Sequence, residues 1–322
     1  MGKTFVITLG GNSILRQNEK GSIEEQYSHI WETAGQLLAV INGDNRVVVS
    51  HGNGPQVGNI LLANEYAQAV VPPMTLAICG AATQGFMGYM IQETLANRLR
   101  EAGFKHNITT VISQVIVDSN DPALKNPTKP IGPFYDLQQA NELMRDKGWK
   151  IIKDGIRGYR RVVPSPRPIQ IQQSRIIKAM LDNDETVIAC GGGGIPSIRE
   201  ANGNLRGIEA VIDKDYTSSR LAVEIDADVI VCLTSVEKVY LDFDLTSRKA
   251  LDRLSVDEAR RFLEQGQFGV GNMEPKIRAA TEFLEATNES DLVNGRRREV
   301  IITLPEKLTD ALRGQTGTVL TI

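Results

Sequence analysis

Short runs rich in β-branched residues alternate along the chain with longer stretches in which apolar residues return every three or four positions. The short runs are Thr4–Leu9, Arg46–Ser50, Thr109–Val117, Thr186–Cys190, Asp228–Leu233, Glu299–Thr303 and Thr316–Ile322, with a strand end at Val211-Ile212. They are apolar throughout rather than at every second position, as expected for strands buried on both faces. The longer stretches read as helices. After Gly21, residues Tyr27, Ile30, Trp31, Ala34, Leu37, Leu38 and Ile41 form one apolar stripe, and Ser22 with Glu25 forms a capping box at its start. Pro55 opens a second helix, Thr75–Gly103 is a third, and Ile169–Asp182, Tyr216–Ile225, Leu254–Gln265, Pro275–Ala286 and Leu304–Arg313 follow. Alternation of this kind predicts an α/β fold with a mostly parallel sheet covered on both faces.

Two segments break the pattern. Residues 118–168 carry a cluster of prolines (Pro122, Pro127, Pro130, Pro133, Pro164, Pro166 and Pro168), and Ile151–Asp154 and Tyr159–Val163 flank Gly155-Ile156-Arg157-Gly158 as a hairpin. This stretch is expected to be an inserted subdomain or lid on a single domain spanning 1–322. The helix at 75–103 holds Gly80, Ala81, Ala82, Gly85 and Gly88. Small residues let backbones approach closely, either against the sheet or across a homodimer seam.

Composition narrows the partners. The net charge is −3 and aromatic residues make up 5% of the chain, so no basic, aromatic-studded surface for nucleic acid is expected. Arg296-Arg297-Arg298 reads as a solvated strand entry. No apolar run approaches the roughly 20 residues of a membrane span, the start lacks a signal-peptide pattern, and Val6 argues against myristoylation at Gly2. Cys79, Cys190 and Cys232 are few, scattered and in apolar or Gly-rich context, and no CxxC is present, which points to buried thiols in a reducing cytoplasm rather than disulfides or zinc.

The candidate chemistry lies in glycine turns and framed lysines. Leu9-Gly10-Gly11-Asn12, His51-Gly52-Asn53-Gly54-Pro55 and Gly191-Gly192-Gly193-Gly194 each follow a strand. Such turns expose N–H groups that hold phosphate oxygens, although tight strand-to-helix turns also need glycine for shape alone. Ligands of open α/β sheets lie beyond the strand C-termini, so three such turns point to one cleft. No GxGxxG opens the first helix and no Walker A sequence is present, which argues against a dinucleotide site and leaves the phosphate lysine to come from elsewhere. Lys129 lies in the Pro-rich insertion, Lys214 between Asp213 and Asp215, and Lys276 after Gly271 and Pro275. Each lysine could be an ordinary surface group. Taken together with the glycine turns, they supply the positioning and neutralisation that phosphoryl transfer requires.

These segments resemble the carbamate kinases, a branch of the amino acid kinase family. The matching stretches are Leu9–Asn12, Ser50–Gly58, Thr83-Gln84-Gly85, Asn126-Pro127-Thr128-Lys129-Pro130-Ile131-Gly132, Val162–Pro166, Gly191–Pro196, Ala210–Asp215 and Met273-Glu274-Pro275-Lys276, in family order over nearly the whole chain. The resemblance implies an open three-layer αβα sandwich with a protruding subdomain, usually dimeric. It implies reversible transfer between ATP and carbamate to give ADP and carbamoyl phosphate, with Mg²⁺ and no metal site built from protein ligands alone. By carry-over, Gly10, Gly11, Asn12, Gly52, Asn53 and Gly54 line the phosphate and carbamate site, with Gly192 and Gly193 beside them. Lys129 reaches in from the subdomain, Lys214 and Lys276 contact nucleotide phosphates, and Asp215 orients lysines. Asp213, Thr234, Ser235, Val236, Tyr240 and Met273 fall on the nucleotide side. The chain departs from the family pattern at Asp154–Gly158, at Asn272 and at Ser13. The altered Asp154–Gly158 turn keeps open the alternative of a non-catalytic relative that binds nucleotide or carbamoyl phosphate.

Overall fold

Alternate residues of the central strands project to opposite faces of one sheet, and helices cover both. The structure is a computed structural model that describes residues 2–15, 19–41, 43–155, 158–243, 247–269, 272–286 and 297–322. Its main sheet is built from β1 (Thr4–Leu9), β2 (Arg46–His51), β3 (Ile108–Val111), β9 (Thr186–Ala189), β12 (Val229–Leu233), β15 (Arg253–Ser255), β16 (Glu299–Thr303) and β17 (Thr318–Thr321), in the order β15-β17-β16-β12-β1-β2-β9-β3. Every neighbouring pair is parallel except β16 with β17. The fold is thus an α/β sandwich with a mixed, mostly parallel sheet.

Phe5, Ile7 and Leu9 of β1 face α1 (Ile23–Ile41), α3 (Leu76–Glu101) and α9 (Leu308–Leu312), packing with Ile30, Leu37, Met87, Ile91 and Leu308. Val6, with Val48, Ile230 and Val300, faces the other way, onto Ile177 of α5 (Ser174–Leu181), Leu221 of α6 (Lys214–Glu224), Ala259 of α7 (Val256–Glu264) and Phe283 of α8 (Met273–Glu285). This two-sided burial is why the strands read as unbroken apolar runs. The Ser22/Glu25 capping box forms as expected: the Glu25 N–H donates to Ser22 Oγ (3.2 Å) and the Ser22 N–H to Glu25 Oε2 (2.8 Å).

Several local expectations change. Residues 109–117 are two strands, β3 and β4 (Gln114–Val117), in different sheets. Between them the Ser113 N–H donates to Gln84 Oε1 (2.8 Å), while its carbonyl accepts from Gln84 Nε2 (3.2 Å) and from the Ile195 N–H (2.8 Å), so a side-chain amide on α3 takes the N–H out of the first sheet as the carbonyl joins the second. The helix expected from Ile169 begins only at Ser174. Before it, β8 (Pro168–Ile171) pairs antiparallel with β4, in a four-stranded sheet completed by β10 (Ile195–Arg199) and β11 (Leu205–Gly207). Val211-Ile212 is not a strand but a buried extended segment whose Val211 N–H is satisfied by the Pro164 carbonyl (3.0 Å). α6 starts at Lys214, earlier than its apolar spacing indicates, because Asp213 is its N-cap. Leu254 belongs to β15 rather than to the following helix, and β13 (Val239–Leu241) and β14 (Lys249–Leu251) form a hairpin that the pattern did not signal.

Within 118–168 a small sheet forms in the order β5-β7-β6, from β5 (Lys129–Tyr135), β6 (Ile151–Lys153) and β7 (Tyr159–Val163). It carries α4 (Leu137–Lys147), opened by an Asp136/Gln139 capping box that the sequence reading missed. The β6–β7 hairpin is present, while Ile156 and Arg157 of its turn lie outside the described residues. Of the small residues on α3, Gly88 packs inward, where a Cβ would lie 2.3 Å from Thr110 Cγ2; Gly80 and Gly85 have open space before them.

Candidate active site

Strands β12, β1, β2 and β9 are consecutive neighbours, so their C-terminal loops form one continuous rim. Two backbone bonds step along it: Gly10 N–H donates to the Leu233 carbonyl (2.8 Å) and Gly52 N–H to the Leu9 carbonyl (3.1 Å). A Cβ on Gly10 would lie 2.5 Å from the Leu233 oxygen, so only glycine allows this approach. Gly52-Asn53-Gly54 leads into α2 (Gly54–Ala67), whose start has Pro55 and no side-chain cap. The first N–H groups of that helix are therefore available to an anion. Asn53 is held in place by donating from Nδ2 to Thr83 Oγ1 (2.7 Å).

The Gly191–Gly193 turn is buried beneath this loop. A Cβ on Gly192 would stand 2.1 Å from Asn53 Nδ2, and one on Gly193 would stand 2.1 Å from the Ile212 oxygen. Both residues are in the left-handed region (φ 63° and 87°). Their glycine identity is thus explained by shape, and they form the floor under Asn53. The side chain of Asn12 lies outside the described residues.

The three lysines converge here through two carboxylates. Lys214, the first residue of α6, donates from Nζ to the Leu9 carbonyl (3.0 Å), at the end of β1. Asp215 is buried and bridges the cations: Oδ2 accepts from Lys276 Nζ at 2.6 Å and Oδ1 lies 3.7 Å from Lys214 Nζ. Lys129, at the start of β5, pairs with Asp213 Oδ2, while Asp213 Oδ1 caps α6 by accepting the Asp215 N–H (3.0 Å). One helix N-terminus therefore ties together lysines from α8, from α6 and from the inserted sheet.

The electrostatics follow from this packing. Burial alone would raise the Asp215 carboxyl, but Lys276 and Lys214 outweigh it and hold the group at about 2. Burial opposes the charge on Lys276, but Asp215 overrides that and raises its pKa. Lys214 is lowered, by burial first and by its neighbour Lys276, despite partial rescue from Asp215. A buried cation held below its ordinary range has lost hydration that an incoming phosphate oxygen would replace. His51 is pushed down to about 4 by burial and stays neutral, with Nδ1 on the Gly52 carbonyl (3.1 Å). Burial pushes the Cys190 and Cys232 thiols up to about 12 and about 11, away from the thiolate form that attacks.

Of the residues expected on the nucleotide side, Thr234 is buried and its N–H donates to the Thr303 carbonyl (2.9 Å), Ser235 is exposed, and Val236 is half-buried. Tyr240 sits on the β13–β14 hairpin, edge-on to Phe243 (5.9 Å), and Met273 opens α8 against the core. Asn272 precedes α8 without a side-chain cap. The sequence reading missed one cation: Arg160, on β7, donates from Nε to the Gly132 carbonyl (3.1 Å) and from Nη1 to Asp154 (3.2 Å), and its Nη2 would be 3.8 Å from a Cβ on Gly54. Only the pairing of β7 with β5 brings it there. Among the described residues no three His, Cys, Asp or Glu side chains cluster as a metal cage.

Comparison with known proteins places these features in context. The model of the amino acid kinase family matches residues 3–292. The carbamate kinase of Pyrococcus furiosus is 44% identical over 320 residues, covering 99% of both chains, and that of Thermococcus kodakarensis is 44% identical over 319 residues, covering 98% of both. Among solved structures, carbamate kinase from Giardia lamblia bound to AMP-PNP superposes with a TM-score of 0.88 at 39% identity, covering 99% of this chain and 98% of that one.

Proposed function

This chain belongs to the amino acid kinase family, and we propose that it acts as a carbamate kinase, moving a phosphoryl group reversibly between ATP and carbamate. The observation that carries this reading is the meeting of Lys129, Lys214 and Lys276 around Asp213 and Asp215 at the ends of adjacent strands. The acceptor oxygen of carbamate is already anionic at neutral pH, so no general base has to remove a proton. The obstacle is repulsion between that anion and a polyanionic nucleotide. Lysines and backbone N–H groups fixed before the substrates arrive lower it with little reorganisation.

In this reading Gly10, Gly11, Asn12 and Gly52–Gly54 take carbamate and the transferred phosphoryl group, with Gly192 and Gly193 supporting them from below. Lys214 and Lys276 neutralise nucleotide phosphates, Asp215 orients both, and Lys129 is brought in by residues 118–168 acting as a subdomain over the cleft. Asp213, Thr234–Val236, Tyr240 and Met273 form the nucleotide side. In the reverse direction a β-phosphate oxygen of ADP attacks phosphorus, carbamate leaves, and it breaks down to ammonia and CO2.

Mg²⁺ fits the site as a companion of the nucleotide. The carboxylates at the cleft, Asp213 and Asp215, are each engaged by lysine, so the ion would be held chiefly by phosphate oxygens, as magnesium commonly is. When bound it would neutralise charge on the β- and γ-phosphates. Homodimer formation is supported by the exposure of Val70, Val71 and Ile78, at and just before the start of α3, and by the open space before Gly80 and Gly85 on that helix. A cytoplasmic location fits three buried free thiols, and among the described residues no helix is long and apolar enough to cross a membrane.

The test is ATP formation from ADP, Mg²⁺ and carbamoyl phosphate. Lys129→Ala, Lys214→Ala and Lys276→Ala should each lower turnover by roughly 10²–10³, the scale for one preorganised charge-stabilising donor. Normal rates in all three would overturn the site assignment. Ligand-dependent thermal stabilisation without turnover would favour a binding protein instead.

A further inference from the structure

Helix α2 serves two purposes at once. Its N-terminus carries the Gly52–Gly54 loop, and its side receives the strand that bears Lys129. The contact is backbone to backbone: a Cβ on Gly58 would lie 2.0 Å from Gly132 Cα and 2.1 Å from Gly132 N. Gly132 is three residues beyond Lys129 on β5, about 10 Å along an extended strand. Two helical turns after Gly58, on the same face of α2, stands Glu65. Its Oε1 accepts from Arg161 Nη1 at 2.6 Å, and its Oε2 is 3.8 Å from Lys147 Nζ. Arg161 is the cross-strand partner of Ile131, next to Gly132. Trp149 closes the cluster, with the Arg161 guanidinium 4.3 Å and the Lys147 ammonium 5.0 Å from its ring centre.

The inserted sheet is therefore held to α2 by the glycine contact, by Ile131 and Val163 packing on Val57 and Leu61, and by a carboxylate at the edge of that contact. Apolar packing is non-directional, so the carboxylate is the tie that sets the rotation of β5 about Gly58. Lys129 lies at the far end of that lever and has Asp213 as an alternative partner. We propose that Glu65 is a positioning residue for Lys129: through Arg161 and Lys147 it locks the orientation of β5, and so sets where the Lys129 ammonium stands relative to the N-terminus of α2. The proposal rests on the assignment of Lys129 to the transfer reaction.

The experiment is a double-mutant cycle on the full-length protein, with rates taken from ADP, Mg²⁺ and carbamoyl phosphate. Glu65→Ala is expected to lower kcat by roughly 10- to 100-fold, the size of effect that follows from about 1 Å of misplacement, with the KM for ADP unchanged. Glu65→Gln, which can still accept from Arg161, should recover most of that loss. Adding Glu65→Ala to Lys129→Ala should cost nothing further, because the group that Glu65 positions is gone. Thermal unfolding is read in parallel to confirm that each variant is folded. The proposal is overturned if the two losses multiply, if Glu65→Ala leaves kcat unchanged, or if Glu65→Gln is as impaired as Glu65→Ala. Should Lys129→Ala itself turn over normally, the role of Lys129 falls and this inference with it; a defective Lys129→Ala beside a normal Glu65→Ala removes the inference alone.

Discussion

Asp215 is the residue on which the site's charge balance turns. Removing it would leave two lysines facing each other in a buried space, and breaking a buried pair in that way costs more than the pair contributes. Its carboxyl is held at about 2, below its ordinary 3.8. A lowered acid stabilises the fold at pH above its unfolded value and loses that contribution as pH falls through the folded one. We expect acid-dependent loss of stability between about pH 4 and 2, and a flatter profile over that window in Asp215→Asn, measured by urea unfolding at each pH. A wild-type profile that is level from pH 5 to 2 would remove Asp215 from this role. Lys214, Lys276 and Asp215 were legible in the sequence because their local frames are distinctive. Arg160 and Glu65 were not, since a charged residue on a strand or helix looks the same whether it faces water or a partner element.

Among the elements, the loops after β1, β2 and β9 depend on glycine for different reasons. Gly10 allows one strand end to approach another, while Gly192 has both a left-handed φ of 63° and the Asn53 side chain in the place of its Cβ. Gly192→Ala should therefore add backbone strain and crowding together, about 2–4 kcal/mol of lost stability, measured by chemical denaturation. A loss under about 0.5 kcal/mol would show that the floor can relax. Strand boundaries followed the apolar pattern to within a residue in β1, β2, β12 and β16. They failed where a side chain takes up a backbone N–H, as Gln84 does at Ser113, and α6 begins ahead of its apolar spacing because Asp213 caps it. The pattern also could not separate Pro168–Ile171 from the helix after it, because a short apolar run fits either period.

At the scale of the whole molecule, Val70 (88% exposed) and Ile78 (52%) leave apolar side chains in solvent at and just before the start of α3, where a homodimer seam is proposed. Sedimentation should find a dimer that Ile78→Asp converts to monomer, and a monomeric wild type would refute the seam. What the chain determined by itself was the class of fold and most of the chemistry, for apolar period and glycine turns are local properties that a linear reading preserves. The tertiary structure alone decided the strand order that puts four loops on one rim. It also decided the pairing of Lys129 with Asp213, residues 84 positions apart, and the seating of β5 on α2. Those depend on which surfaces meet after folding, and a contact between distant segments leaves no period in the sequence of either one.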